Sequence, residues 1–332
     1  AGGLGALAPG DLAALRFTLV QATISAAVSV ALAVPVARAL MRQRFPGRAA
    51  LVALMGAPFI LPVIVAVMGL IAVFGRNGLV NGLLGALGLP LVDVYGFHGV
   101  VLAHVFFNLP LAVRMLLNGW QAVPGERLRL AASLGLSRGA MWRVIDAPVV
   151  LRVAPGAFVV IFVICLTSFA VALTLGGGPR ATTVELAIYQ AMRFDFDLGR
   201  ASVLALVQLA LGLVAGLAAL KIARGEGFGV GRDRIVPRSD GRGWVRGVDY
   251  AWIVAAALFL LVPLGTVLTR GAPGLLLLGP DTFRAAGHSI AVALASTVLC
   301  MAWAMALANR RGELLALAAI AVSPLVLGTG LF

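Results

Sequence analysis

The sequence predicts an all-α membrane protein that crosses the bilayer many times, and three observations carry that prediction. Of its 332 residues, 61% are hydrophobic and 12% charged, whereas a soluble domain carries about a quarter charged residues. The apolar residues fall in runs near the length of a bilayer crossing. The basic residues cluster after alternate runs. A soluble fold this apolar would expose more hydrophobic surface than a monomer tolerates, so the excess faces lipid.

A bilayer core about 30 Å thick needs about 20 largely apolar helical residues. Phe17–Leu40, Leu51–Phe74, Val100–Leu117, Pro155–Leu175, Ala201–Ile222, Tyr250–Leu268 and Ala286–Ala308 meet or approach that length. Leu314–Phe332 is an eighth run, ending with the sequence. Each is expected to be a helix, because lipid cannot satisfy an open backbone.

Orientation follows from Lys and Arg. Arg38, Arg42, Arg44 and Arg48 follow the first run. Arg127, Arg129, Arg138, Arg143 and Arg152 lie after the third, and Lys221 to Arg246 after the fifth. These loops are expected to be cytoplasmic, and those at 75–99, 176–200 and 269–285 external. The net charge of +13 is thereby read as topology. It is not a nucleic-acid surface, since no basic helix interleaved with aromatics occurs. This orientation places Ala1 outside, and the expectation is a fragment lacking an upstream helix and its C-terminal part.

Residues 224–248 are rich in Gly and charge, with Pro237, and read as a cytoplasmic linker. The Gly227, Gly229 and Gly231 run lacks the strand and helix that a nucleotide loop requires. The linker divides a first transmembrane half, residues 1–223, from the start of a second, residues 249–332. Thr18–Arg38 and Ser289–Arg311 share a Ser/Thr/Ala-rich character with a basic end. Leu61-Pro62 with Gly69-Leu70 is echoed by Ser323-Pro324 with Gly330-Leu331. Two fused copies of one membrane half are a common transporter architecture.

The loop at 118–154 carries the mechanism. Pro124-Gly125 ends the preceding span. Glu126 to Leu134 forms a short helix, with Leu128, Ala131 and Ala132 as a small apolar surface. Gly135 permits a sharp stop and Ser137 caps a second short helix. Pro148 closes that helix, and Pro155 suits the first turn of the next span. A bent helical elbow on the cytoplasmic face results.

Ala131-Ala132, Gly135 and, thirteen residues later, Pro148 resemble the cytoplasmic signature of ABC-importer permeases. Tyr95–Leu117, Leu173–Asp197 and Arg38–Leu51 resemble the thiamine importer permeases in particular, from about Arg16 to about Gln208. The resemblance implies a polytopic bundle of the type I importer kind, built of two fused halves with the second incomplete here. It implies that the elbow is the coupling helix, with Glu126, Arg129, Leu130, Ala131, Ala132, Gly135, Ser137, Arg138 and Pro148 meeting the ATPase. Arg129 stands where the family has Glu, and Leu130 where it has the first Ala. The implied partners are a cytoplasmic ATP-binding subunit acting as a homodimer, a periplasmic substrate-binding protein and the lipid bilayer. The implied location is the bacterial inner membrane. A ferric-iron permease is the alternative within the class; a secondary transporter or channel is the alternative outside it.

Other residues admit two readings. Gly176, Gly177, Gly178, Pro179, Thr182, Thr183 and Glu185 form an external loop, read as a gate or as a connector with a cap at Thr183. His104 and Asn108, one turn apart in the third run, line the translocation path or bond neighbouring helices. Gln21, Thr167, Ser168 and Gln208 are weaker candidates of the same kind. Cys165 and Cys300 read as small buried side chains, and His98 and His288 have no metal-ligand spacing. The chain's single lysine, Lys221, is followed by Ile222, so no phosphate loop of the GxxxxGK[ST] type exists here. No cofactor is expected, and ATP belongs to a partner. The span centres carry no Asp, Glu, Lys or Arg, which weighs against proton-coupled transport.

Overall fold

The computed structural model describes residues 9–56, 58, 61–176, 178, 181–223 and 243–306. Among these residues the regular structure is helical throughout, and seven helical stretches are long and apolar enough to cross a membrane. The protein is a polytopic helical membrane protein. The run at 314–332 lies outside the described residues, as does the linker from 224 to 242.

The first helix, α1 (Pro9–Arg42), carries Asp11 in its first turn and Arg42 in its last, which complements the helix dipole. At about 1.5 Å per residue it is about 50 Å long, so both charged ends project beyond the hydrocarbon. After it come α2 (Arg48–Leu54), α3 (Val63–Phe74), α4 (Leu79–Ala86) and α5 (Phe97–Gln121). Helices α6 (Gly125–Ser133) and α7 (Arg138–Met141) precede a π-helical segment (Trp142–Asp146) and α8 (Ala147–Leu166). Then follow α9 (Ala170–Leu175), α10 (Val184–Arg193), α11 (Leu198–Ala223), α12 (Trp244–Gly271) and, after a 3₁₀ segment, α13 (Pro280–Ala306).

The core is a bundle in which α1 packs along α5, α8 and α12, while α12 also packs on α3. Small residues line α1 where it meets its neighbours: Ala22, Ala26, Ala33 and Ala37 are fully buried. Small side chains let helix backbones approach closely where no water drives association. Phe106, Leu116, Trp120 and Ile161 fill the same core. No residue of α13 is buried among the described residues.

Two spans and a loop differ most from their sequence limits. The run at 51–74 is not one helix: among its described residues α2 ends at Leu54 and α3 begins at Val63, after Pro62, which has no N–H to give and takes an extended backbone, φ −55° and ψ 131°. The run at 155–175 starts earlier, at Ala147, with Pro155 inside the helix, and breaks over Thr167–Phe169. The loop at 118–154 is shorter than expected, since α5 continues to Gln121 and α8 begins at Ala147. In addition, the stretch assigned to the linker already becomes helical at Trp244.

Candidate functional site

The elbow is built by α6, α7 and the π segment. Pro124 precedes α6, and Glu126 occupies its first turn. Its end is a glycine-closed reverse turn. Gly135 has φ +60°, a conformation open to glycine at little strain. The Leu136 N–H donates to the Ala131 carbonyl (3.1 Å) and the Gly135 N–H to that of Ala132 (3.2 Å), the paired bonds of a Schellman stop. Ser137 then caps α7, its hydroxyl accepting from the Ala140 N–H at 3.3 Å.

Beneath this turn lies a private core. Leu128, Ala131, Met141 and Ile145 are buried together, with Val123 and Leu136 against them. This miniature core gives the elbow a fixed shape. Outside it, Ala132, Gly135 and Arg138 are exposed, as are Leu130 at 60% and Leu134 at 66%. Arg129 pairs with Glu126 at 3.1 Å, both well exposed, an interaction of at most about 1 kcal/mol. Helix α6 and its closing turn therefore present two large apolar side chains, rimmed by charge.

Pro148 does not close the second short helix. The chain continues without a break from Arg138 through Trp142–Asp146 into α8, a stretch of 29 residues. The Ala147 N–H reaches the Trp142 carbonyl, five residues back. The widened π turn absorbs the missing N–H and the ring of Pro148 at the start of α8. The elbow is thus the leading end of a membrane helix.

A buried charge holds that leading end. Asp146 has no exposed surface and accepts from Arg38 Nε at 2.7 Å and from Trp120 Nε1 at 3.0 Å. The Arg38 guanidinium also lies over the Trp142 ring, 4.7 Å from its centroid. One turn further along α1, Arg42 pairs with Asp249 of α12 at 3.2 Å, and Gln43 donates to the same carboxylate at 2.7 Å. The sequence puts Arg38 and Arg42 in a cytoplasmic cluster and does not single out Asp146 or Asp249. Their partners lie over a hundred residues away, which no local pattern signals.

The mid-span candidates gather at the break after α8. The last carbonyls of a helix lack intrahelical partners, and within a bilayer something else must satisfy them. Gln21 Nε2 donates to the Cys165 carbonyl and Gln208 Nε2 to that of Leu166, each at 2.9 Å. Asn108 Nδ2 donates to the His104 carbonyl at 2.9 Å and approaches Cys165 Sγ at 3.5 Å. His104 Nδ1 lies 3.3 Å from Ser25 Oγ. Thr167 turns back to the Ile164 carbonyl at 3.3 Å. Gln21, Asn108, His104 and Gln208 are all buried, and each keeps one polar atom without a protein partner.

The candidates at 176–185 divide. Gly177 and Pro179 lie outside the described residues. Gly176 is buried: a Cβ there would meet the Ala181 carbonyl oxygen at 2.8 Å. Gly178 is exposed with φ +129°. Thr183 and Glu185 are buried, and Thr183 Oγ1 accepts from the Leu186 N–H at 3.3 Å as the cap of α10. The Val184 N–H donates to Thr18 Oγ1 of α1 at 2.9 Å. What sequence reading offered as a connector contains α10, an amphipathic helix buried against α1 and α11.

No family model matches the chain. Curated proteins do. The chain is 40% identical over 336 residues to the thiamine transport system permease protein ThiP of Salmonella typhimurium, covering 96% of this chain and 63% of that one. It is 49% identical over 201 residues to the ThiP of Brucella melitensis, covering 60% of this chain and 37% of that one. The molybdenum transport system permease protein ModB of Azotobacter vinelandii is 31% identical over 181 residues, covering 54% of this chain and 78% of that one. The chain thus spans less than two thirds of the length of these ThiP proteins.

Proposed function

The chain belongs to the transport-system permease family, and on that premise we propose that it is the membrane-spanning permease subunit of an ATP-driven importer for thiamine or a thiamine phosphate. In this reading the protein sits in the bacterial inner membrane. A periplasmic binding protein delivers substrate to the external face. A pair of cytoplasmic ATP-binding subunits works on the elbow. The protein itself makes and breaks no covalent bonds.

The observation that carries this reading is the continuity of the elbow with α8. Helix α6, carrying exposed Leu130 and Leu134, is packed through a small core onto Met141 and Ile145, and that stretch runs without a break from Arg138 into a spanning helix. A partner that displaces the elbow therefore displaces the helix. A channel or an ion-driven carrier has no use for such a lever. Leu130, Ala132, Leu134 and Arg138 form the docking face; Ala131, Gly135, Ser137 and Pro148 shape it. Glu126 and Arg129 set its charge.

His104 and Asn108 serve the translocation path from behind, by holding the joint between α8 and α9. Gly176, Gly178, Thr182, Thr183 and Glu185 belong to the external gate, whose α10 moves with α1. The linker at 224–242 joins two membrane halves, the second beginning at α12. A thiamine cargo rests on the names of the ThiP relatives; no iron permease is among the relatives described.

The test is uptake of labelled thiamine by a strain lacking its own thiamine permease. Restoration by the full-length protein, lost when the ATPase subunit is deleted, is expected. Uptake that persists without the ATPase and collapses with the ion gradient would overturn the importer reading in favour of a secondary transporter.

A further inference from the structure

Three elements meet at the basic end of the bundle, and three contacts join them pairwise. The elbow is tied to α1 by Asp146 and Arg38, at 2.7 Å. Helix α1 is tied to α12 by Arg42 and Asp249, at 3.2 Å, with Gln43 on the same carboxylate at 2.7 Å. The elbow is tied directly to α12 by Arg138, whose guanidinium lies 5.6 Å from the centroid of the Trp244 ring. The joined elements are far apart in sequence: 108 residues separate Arg38 from Asp146 and 207 separate Arg42 from Asp249.

Two of the three contacts are removed from water. Asp146 is fully buried, and the Arg42 and Asp249 side chains are 5% and 6% exposed. Such pairs are weakly screened, and removing one partner strands a charge where water cannot reach it. Arg38 and Arg42 stand four residues apart and so lie on one face of α1. A displacement at Asp146 is therefore delivered to Asp249 along a single helical turn. A triangle closed on all sides resists shear, whereas two sides alone leave a hinge.

We propose that Arg38–Asp146, Arg42–Asp249 and Arg138–Trp244 form a clasp that makes the elbow, the first span and the first helix beyond the linker move as one body. Arg42, Asp249 and Trp244 are positioning residues: Arg42 and Asp249 lie off the docking face, Trp244 meets it only through Arg138, and all three act by holding the elbow against α1 and α12. The clasp deepens the importer reading, because it would let one elbow steer helices on both sides of the linker.

The experiment follows backbone hydrogen exchange in the full-length protein in lipid nanodiscs, with no ATPase present. Trp244→Ala opens the direct side of the triangle. In that background, Asp249→Asn is expected to speed exchange of the amides of Arg138–Asp146 by about tenfold, a coupling of ordinary size for linked sites. Arg42→Gln, from the other end of the pair, is expected to do the same. Faster exchange confined to the neighbourhood of Asp249, with 138–146 unchanged in both variants, would overturn the clasp. A second measurement uses the complete transporter. Asp249→Asn is expected to retain the ATPase while lowering substrate moved per ATP hydrolysed by about tenfold; an unchanged ratio would remove the clasp from the transport cycle. If the unaltered protein binds no ATPase, the importer reading fails while the exchange result still decides the clasp.

Discussion

Gly69 of α3 lies so close to Pro263 of α12 that a Cβ on it would stand 2.6 Å from the Pro263 carbonyl oxygen and 2.9 Å from Val267 Cγ2. The crossing joins helices on either side of the linker. Two features make it possible: a residue without a side chain on α3, and a proline inside α12, whose ring interferes with regular helical bonding.

Gly69→Leu is therefore expected to push α3 off α12. Overfilling a well-packed contact costs about 1–3 kcal/mol. The thermal midpoint of the detergent-purified protein should fall, and Gly69→Ala should fall between the two. A midpoint unchanged in Gly69→Leu would mean that the two helices do not meet at this point in the membrane.

Asp146 yields a second prediction, because it gathers two donors in a site without exposure. Trp120→Phe keeps an aromatic ring in the buried core but removes the indole N–H. A hydrogen bond to a charged group contributes about 1.5–3 kcal/mol, so a destabilisation of that order is expected in urea or heat unfolding. Equal stability of Trp120→Phe and wild type would show that the carboxylate is satisfied without the indole.

The elbow separates two kinds of alanine and leucine, and substitutions should follow the separation. Leu134 is exposed, so Leu134→Glu should change stability by no more than about 0.5 kcal/mol while weakening ATPase binding by more than about tenfold, as loss of an interface anchor does. Ala131 is buried among Leu128, Met141 and Ile145. A charge there should loosen the elbow itself, visible as rapid exchange of its amides with or without a partner. Gly135→Ala, at φ +60°, should do so more mildly, since the left-handed conformation costs a residue with a Cβ about 1–2 kcal/mol. Binding measured alone would not distinguish Leu134→Glu from Ala131→Glu; binding together with exchange does.

The spans were legible because a long apolar run has one outcome in a bilayer. Their interruptions were not. Pro62 and Gly69 are visible as letters, yet an apolar run containing a proline looks the same whether the helix continues, as α12 does through Pro263, or begins only after it, as α3 does after Pro62. Pro148 shows the opposite error. A proline read as a terminator sits inside a continuous helix because a π turn ahead of it gives the ring room. Gly135 was legible because the need for a left-handed residue is local. Asp146 and Asp249 were not, because burial of a charge depends on an arginine that only the folded bundle brings near. His104 and Asn108 were recognisable as polar residues at membrane depth, but Ser25 and Cys165 emerge as their neighbours only in the fold.

The last prediction concerns the segment that leads from α4 to α5. Between α4 and α5 the loop is clipped by Asn81, which donates to the carbonyls of Gly75 (3.0 Å) and Val92 (2.8 Å) and accepts from the Val92 N–H at 2.8 Å. Beside the clip, the Tyr95 N–H and, secondarily, the Arg76 guanidinium favour the charged form of Asp93 and hold its carboxyl below the usual carboxylate range. A carboxylate with a lowered pKa in the folded state stabilises the fold above its unfolded value of about 3.9 and loses that contribution as pH falls through the folded value. The loop is therefore expected to stay closed from neutral pH down to about 4 and to loosen only below that. Limited proteolysis across a pH series, with an acid-tolerant protease, reads this directly. In Asp93→Asn the acid-dependent step should vanish, because the amide has no charge to lose, while Asn81→Ala should open the loop at every pH. An acid step surviving in Asp93→Asn would assign the pH response to another group.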